Sequence, residues 1–283
     1  MKNILWVINP KAGYGNHQDL IRQIKSFESD HIYLTTGEND DQMLNKLLDE
    51  LNPDLVVSGG GDGTFKIVAG CLEHREVPVA ILPLGSANGL AAELKLEQDA
   101  SELTETYKQN NIKKISLDAI RINNDLCFHL ADVGLNARIV KGFEKQSIRG
   151  YTGYALGALD QFGKEELYFN VEHEGKKHET LMVIIANARK YGTGVVVNPV
   201  GKINDGFFEI GILKQIHPVL VGQILFNPDE SPSEEYFYLQ SMKEVELHLD
   251  QKIDLQVDGE YIDTVDRINA KILPGFIDLV LPD

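Results

Sequence analysis

The stretch Ser58-Gly59-Gly60-Gly61-Asp62-Gly63-Thr64 constrains this chain more than any other. An apolar run, Leu55-Val56-Val57, precedes it, and Phe65, Ile67, Val68 and Leu72 follow at amphipathic spacing. The order reads as strand, glycine turn, helix. Glycine lets backbone N–H groups come close to a bulky anion without a Cβ in the way. A helix N-terminus adds unpaired N–H donors and a dipole worth about 0.3–1 kcal/mol per charge at an exposed site. One carboxylate, Asp62, stands inside this anion-friendly turn. It would repel a bare phosphate, so a cation between the two is expected. The loop predicts a metal-assisted phosphate site.

The neighbouring sequence repeats the same rhythm. Ile4-Leu5-Trp6-Val7-Ile8 is a continuous apolar run, as in a strand covered on both faces. Leu20, Ile21, Ile24 and Phe27 have helical spacing, and Ile32-Tyr33-Leu34 reads as a second strand. Met43, Leu44, Leu47, Leu48 and Leu51 form a helical stripe, with Asp40 or Asp41 as N-cap. Val79-Ala80-Ile81-Leu82 leads into another loop and a helix over 87–94. Alternating strand and helix predicts a parallel sheet with helices on both faces and ligands beyond the carboxyl ends of the strands.

After about residue 115 the period changes to two. Residues 115–122 alternate, Asn123-Asn124-Asp125 turns, and residues 126–131 return. Alternating runs recur at 167–171, 181–186, 207–213, 236–239, 245–249, 253–257, 268–272 and 277–280, with a helix over 151–162 among them. The expectation is an α/β N-terminal domain with a parallel sheet, residues 1–114, and a mostly antiparallel β-sandwich C-terminal domain, residues 115–283.

Charge and cysteine usage narrow the function. The balance of 43 acidic against 27 basic residues, a net charge of -16, argues against nucleic acid as partner, because phosphate neutralisation needs clustered Lys and Arg. Cys71 and Cys127 match no metal spacing and read as buried residues in a reducing cytosol. The run 4–8 is too short for a signal peptide, and no stretch approaches the roughly 20 apolar residues that span a bilayer. Membrane contact is therefore expected to be peripheral, at the inner face. Arg138, Lys141, Lys145 and Arg149 around Phe143 suit such contact, or simply a solvated helix face.

Three further segments carry chemistry. Asn9-Pro10-Lys11-Ala12-Gly13 follows the first strand and is either a phosphate-cradling turn or an ordinary loop. In Pro83-Leu84-Gly85-Ser86-Ala87-Asn88, Ser86 can cap the next helix and also offer its hydroxyl to phosphate. Asp258-Gly259-Glu260 sets two acids at a hairpin tip, as a functional pair or as a type I′ turn with solvated acids. Asn187 to Gly192 could line a cleft, though a solvated loop is the simpler expectation.

Together, in order and spacing, these segments resemble the lipid kinase family of diacylglycerol kinases, sphingosine kinases and their bacterial relatives. Asn9 to Gly13 is similar to the family's first nucleotide motif, Gly60 to Thr64 to its Gly-Gly-Asp-Gly-Thr signature, Pro83 to Asn88 to its Pro-x-Gly-Thr/Ser-x-Asn segment, and Asp258 to Glu260 to its late Asp-Gly-Glu. The resemblance implies ATP as phosphoryl donor, Mg²⁺ as cofactor and a lipid acceptor at a membrane surface. It implies that Asn9, Pro10, Lys11, Ala12, Gly13, Thr36, Gly60, Gly61, Asp62, Gly63, Thr64 and Ser86 surround the nucleotide. Glu260 would be the general base, and Asp258 and Asp118 would join Asp62 in an acidic network holding metal and water. A structural magnesium site would use the Asp205 carboxylate and the carbonyls of Lys202 and Phe207.

Three positions depart from the family pattern. Lys66 and Ile67 stand where Asn-Glu is usual, and Gly89 stands where many bacterial diacylglycerol kinases carry Asp. NAD kinases share the glycine signature, so an NAD kinase-like enzyme and a non-catalytic nucleotide or lipid binder are the alternatives. Edge strands of the second domain could pair in a homodimer.

Overall fold

The computed structural model describes residues 3–13, 15–27, 30–86, 88–96, 98–134, 168–190, 196–215, 217 and 233–283. The expected helix over 151–162, the basic segment 138–149 and most of loop 227–235 lie outside the described residues. The chain divides into two compact units, Met1–Leu117 with Gly275–Asp283, and Asp118–Pro274. The division falls after Leu117 rather than after residue 114, and residues 275–283, expected in the second domain, return to the first unit.

In the first unit the predicted alternation holds. The order is β1 (Ile4–Ile8), α1 (Gln18–Lys25), β2 (His31–Leu34), α2 (Asp40–Leu51), β3 (Leu55–Gly60), α3 (Asp62–Cys71), β4 (Val79–Pro83), α4 (Gly89–Glu93) and α5 (Ala100–Gln109). β1 pairs in parallel with β2 and β3, and β3 pairs in parallel with β4. β2 is the short, part-exposed edge, whereas every residue of β1 and β3 is buried.

The core of this unit packs Ile4, Trp6, Ile8, Leu55, Val57 and Leu82 against Ile24, Leu103 and Tyr107 of the helices. Side chains of this kind contribute about 1.5–3 kcal/mol each when fully buried. Lys108 pairs with the buried Asp30 at 2.7 Å, and Trp6 Nε1 donates to the same carboxylate at 3.0 Å. That charge is therefore paired and hydrogen-bonded, as burial requires.

The second unit is antiparallel. β5 (Ile112–Ile122) enters it and pairs with β6 (Asp125–Cys127) across the predicted Asn123 turn. There follow β7 (Leu130–Gly134), β8 (Phe169–His173), β9 (Lys176–Thr180), β10 (Met182–Ala186), β11 (Phe208–Leu213), β12 (Phe237–Met242), β13 (Glu244–Val257) and β14 (Glu260–Pro282). The ladder runs β12, β11, β10, β7, β13, β14, with β8 and β9 added on β13. Inward residues such as Ile120, Val133, Ile185, Ile210, Leu255 and Ile268 form one core.

Two pairs of predicted strands are single strands. The expected 245–249 and 253–257 merge into β13, with a register shift between His248 and Ile253. The expected 268–272 and 277–280 merge into β14. The end of β14 leaves the antiparallel ladder, and Leu279 and Val280 pair in parallel with Val79 and Ala80 of β4. The first unit's sheet is thus completed by a distant segment. Leu279 is fully buried there. Leu279→Ala is expected to destabilise the first unit by about 2–5 kcal/mol, read as an earlier urea transition in the fluorescence of Trp6, the chain's one tryptophan.

Candidate active site

A parallel sheet turns all its βα loops out at one edge, and the sequence places its glycines there. After β1, Asn9 donates its N–H to Gly59 O at 2.7 Å, while its Oδ1 accepts Lys11 N–H at 2.9 Å. The asparagine thus closes the turn through Pro10. After β4, Leu84 and Gly85 donate to Gly60 O at 2.9 and 3.1 Å. The Asn88 side chain clasps Gly85, accepting its N–H at 2.9 Å and donating to its carbonyl at 2.7 Å.

The loops approach backbone to backbone. A Cβ on Gly85 would lie 2.6 Å from Gly61 Cα, and one on Gly13 would lie 2.5 Å from Leu84 O. Neither spacing admits a side chain, which is the physical reason for glycine at positions 13 and 85. The structure therefore gathers Asn9–Gly13, Gly60–Thr64 and residues 83–86 with Asn88 at one edge. Thr35 N–H donates to Ile8 O at 2.9 Å, so the end of β2 and Thr36 lie on that edge too. Lys11 and Ser86 are exposed, and Thr64 is buried in the first turn of α3. That turn has Gly61 as N-cap and no side-chain cap, an arrangement suited to an anion.

Asp62 has a role the sequence did not reveal. Its Oδ2 accepts Gly89 N–H at 2.7 Å and its Oδ1 accepts Leu90 N–H at 3.1 Å. Asp62, not Ser86, thus supplies the cap of α4, whose own N-cap residue, Asn88, makes none. At the departure Gly89, the main-chain N–H is one of the two donors to Asp62, and the position offers no side chain there. Of the other departures, Lys66 is half-buried and Ile67 exposed on α3.

Asp40 was missed as a loop anchor. The N-cap of α2 is Asn39, in the left-handed region, and Asp40 is the first helical residue. Its carboxylate turns back and accepts N–H groups from Thr36 (2.9 Å) and Gly37 (2.8 Å) and the Tyr33 hydroxyl (2.6 Å). Burial alone would raise its pKa, but the bonds from Tyr33, Thr36 and Gly37 outweigh burial and hold it below the usual 3.8. Burial and Asp40 together push the Tyr33 phenol up to about 12. The signal was an Asp four residues after Thr36, in the loop that leaves β2.

In the second unit, Val257 pairs with Glu260 across a two-residue turn, with φ of +52° at Asp258 and +86° at Gly259. Both central residues are left-handed, as a type I′ turn demands. Its acids are not both solvated. Asp258 accepts three successive N–H groups, Phe128 at 3.0 Å, His129 at 2.9 Å and Leu130 at 3.1 Å, and the Cys127 thiol at 3.4 Å. Gln256, paired with Asp132 beneath the turn, accepts Gly259 N–H at 2.7 Å. Glu260 stands at the tip, exposed, with a carboxylate that makes no hydrogen bond among the described residues.

Asp118 is also committed. It is buried, its N–H donates to Ile203 O at 2.8 Å, and its Oδ2 accepts Gly206 N–H at 2.7 Å. It holds up the loop of Lys202, Asp205 and Phe207. Asp205 is exposed, and its Oδ1 accepts Phe207 N–H at 3.1 Å. Asp118 and Asp258, the two acids expected to join Asp62 in a metal-holding network, each accept main-chain N–H groups. Among the described residues no three His, Cys, Asp or Glu side chains gather as a metal cluster. Cys71 and Cys127 are buried as expected, and burial, with Asp41 nearby, pushes the Cys71 thiol up to about 11.

The comparisons with known proteins bear on this arrangement. Residues 3–120 match the diacylglycerol kinase catalytic domain, and residues 131–281 match the YegS C-terminal NAD kinase beta sandwich-like domain. The chain belongs to the diacylglycerol kinase family of lipid kinases. A probable lipid kinase YegS-like protein of Alcanivorax borkumensis is 26% identical over 241 residues, 81% of this chain and 79% of the relative. The probable lipid kinase YegS of Salmonella gallinarum is 25% identical over 264 residues, 89% of this chain and 86% of the relative. The fold matches that of a crystal structure of a diacylglycerol kinase from Bacillus anthracis, with a TM-score of 0.71, 18% identity and coverage of 98% and 96%. This family membership makes the protein a kinase, and the family implies ATP as donor. Among the described residues no helix is long and apolar enough to cross a membrane.

Two outcomes follow for this kinase. Asp258→Ala strips a charged acceptor from three N–H groups and is expected to cost about 2–4 kcal/mol, measured by denaturant unfolding followed by far-UV circular dichroism. For Asp40 the sign is set by its lowered native pKa. Its contribution is complete above the unfolded value and is lost as pH falls through the native one. The stability gap between wild type and Asp40→Asn should be full near about pH 6 and close steadily below about pH 4, in thermal melts across that range.

Proposed function

We propose that this kinase transfers the γ-phosphoryl group of ATP to the hydroxyl of a lipid such as diacylglycerol or a sphingoid base, at a membrane surface it visits peripherally. One observation carries the reading. Of the acids singled out in the sequence as catalytic, Asp62, Asp118 and Asp258 accept main-chain N–H groups, and Glu260 alone keeps its carboxylate uncommitted among the described residues. A general base needs a lone pair free for the acceptor's proton. The turn beneath it is held by Asp258 and Gln256, so the base projects from a braced support.

The nucleotide side follows from the loop edge. Main-chain N–H groups of the first turn of α3, with the loops at Asn9–Gly13 and Gly85-Ser86, suit the β- and γ-phosphates. Lys11 and the Ser86 hydroxyl, both exposed, are free to add a positive charge and a hydrogen bond. Thr36, which follows β2 on the same edge, orders its loop through Asp40. Glu260 would take the proton as the lipid oxygen attacks the γ-phosphorus and ADP leaves.

Mg²⁺ fits the donor types present. Asp205 has a second carboxylate oxygen outside its turn, and with the carbonyls of Lys202 and Phe207 it offers the hard oxygens that Mg²⁺ prefers. On the nucleotide side Asp62, in the first turn of α3, would lie near the metal-bearing phosphates. The ion would supply neutralisation of phosphate charge.

The test is transfer of labelled phosphate from ATP to extracted lipids, with Mg²⁺ and with a chelator. A labelled lipid is expected only with Mg²⁺. Glu260→Gln should lower kcat by about 10²–10⁴-fold with unchanged thermal stability, because the side chain is exposed and unbonded. Label entering NAD instead, or nucleotide binding without transfer, would overturn the reading.

A further inference from the structure

Asn187 follows β10 in a polar stretch that reads as a solvated loop, yet it is fully buried. Its main-chain N–H donates to His129 O at 3.0 Å, and Ala188 N–H donates to the same oxygen at 3.1 Å. Its side-chain amide donates to two carbonyls from different segments, Asp118 at 3.0 Å and Phe128 at 3.2 Å. Each leads onward. Asp118 accepts Gly206 N–H and donates to Ile203 O, which fixes loop 203–206. Phe128 and His129 donate to Asp258, which fixes the turn before Glu260. A continuous hydrogen-bonded path inside the second unit therefore joins that loop to that turn through one amide.

A second observation isolates the two donors as the reason for an amide here. Asn187 Oδ1 is buried and accepts no hydrogen bond among the described residues. An unmade acceptor in the interior is costly, and an apolar residue would avoid it. The amide repays that cost only through its N–H groups, which lie in one plane and set the spacing of the carbonyls they bind.

We propose that Asn187 is a positioning residue that ties loop 203–206 to the turn carrying Glu260. Its catalytic meaning rests on the reading of Glu260 as the base; the link itself does not. Displacement of the loop is transmitted to the amides of 128–130, and from them to Asp258.

The experiment is a double-mutant cycle on the full chain, read by amide hydrogen exchange at residues 128–130. Gly206 has φ +76°, and a Cβ there would meet only Pro274 within 4 Å, so Gly206→Ala strains the loop without a clash. With Asn187 present, Gly206→Ala is expected to speed exchange at 128–130 about tenfold; in Asn187→Ala it should add less than about twofold. Equal acceleration in both backgrounds, or none with Asn187 present, overturns the proposal. Should Asn187→Ala not fold, Asn187→Ser, with one donor left, takes its place with the same two criteria. In the transfer assay Asn187→Ala should lower kcat about tenfold and leave KM for ATP within about twofold, whereas a change in KM alone overturns a positioning role. If wild type transfers no phosphate to lipid, the proposed function fails, and the exchange cycle still decides the link.

Discussion

Backbone N–H groups in loops and in the first turns of helices lack a ladder or helix partner, and an unpartnered one is costly wherever water is excluded. In this protein aspartates take them. Asp40 serves Thr36 and Gly37, Asp62 serves Gly89 and Leu90, Asp118 serves Gly206, and Asp258 serves Phe128, His129 and Leu130. A carboxylate suits the task because its two oxygens accept several donors at once, and charged hydrogen bonds are about twice as strong as neutral ones. These segments are thus fixed by ionic side chains, three of them remote in sequence.

This use of acids divides the labour. A carboxylate surrounded by N–H dipoles presents less bare negative charge to an approaching phosphate. It also holds its loop rigid, which a site for phosphoryl transfer requires more than it requires reactive groups. The same commitment occupies lone pairs of those acids, which is in keeping with the proposal of Glu260 as the base. An excess of acidic residues is compatible with binding a polyanion when the acids nearest the loops are spent in this way.

Much of the architecture was legible because its signals are local. The glycines of 59–61 and 85, the runs 4–8 and 55–57, and the shift to period two near residue 115 each follow from neighbours in sequence. The turn 258–259 was legible for the same reason. What could not be read depends on remote partners. Asp118 and Gly206 are 88 positions apart, and Asp258 and Phe128 are 130 apart, so neither carboxylate's destination has a local signature. Gln251-Lys252 and Pro274-Gly275 look like strand breaks, but β13 absorbs the first as an irregularity and β14 passes through the second. Asn187 reads as solvated beside Arg189 and Lys190, and only the neighbouring strands reveal that it is enclosed.

The return of Leu279 and Val280 beside β4 governs the order in which the molecule can be built. On the ribosome, strands β1 to β4 emerge early, yet their sheet lacks an outer neighbour until about two hundred further residues have been made. Until then β4 presents an open row of hydrogen-bonding groups, a template for any stray strand. Closing so long a loop is slow, because distant contacts lower the folding rate. A nascent chain stalled short of that closure would be the species that chaperones must shelter.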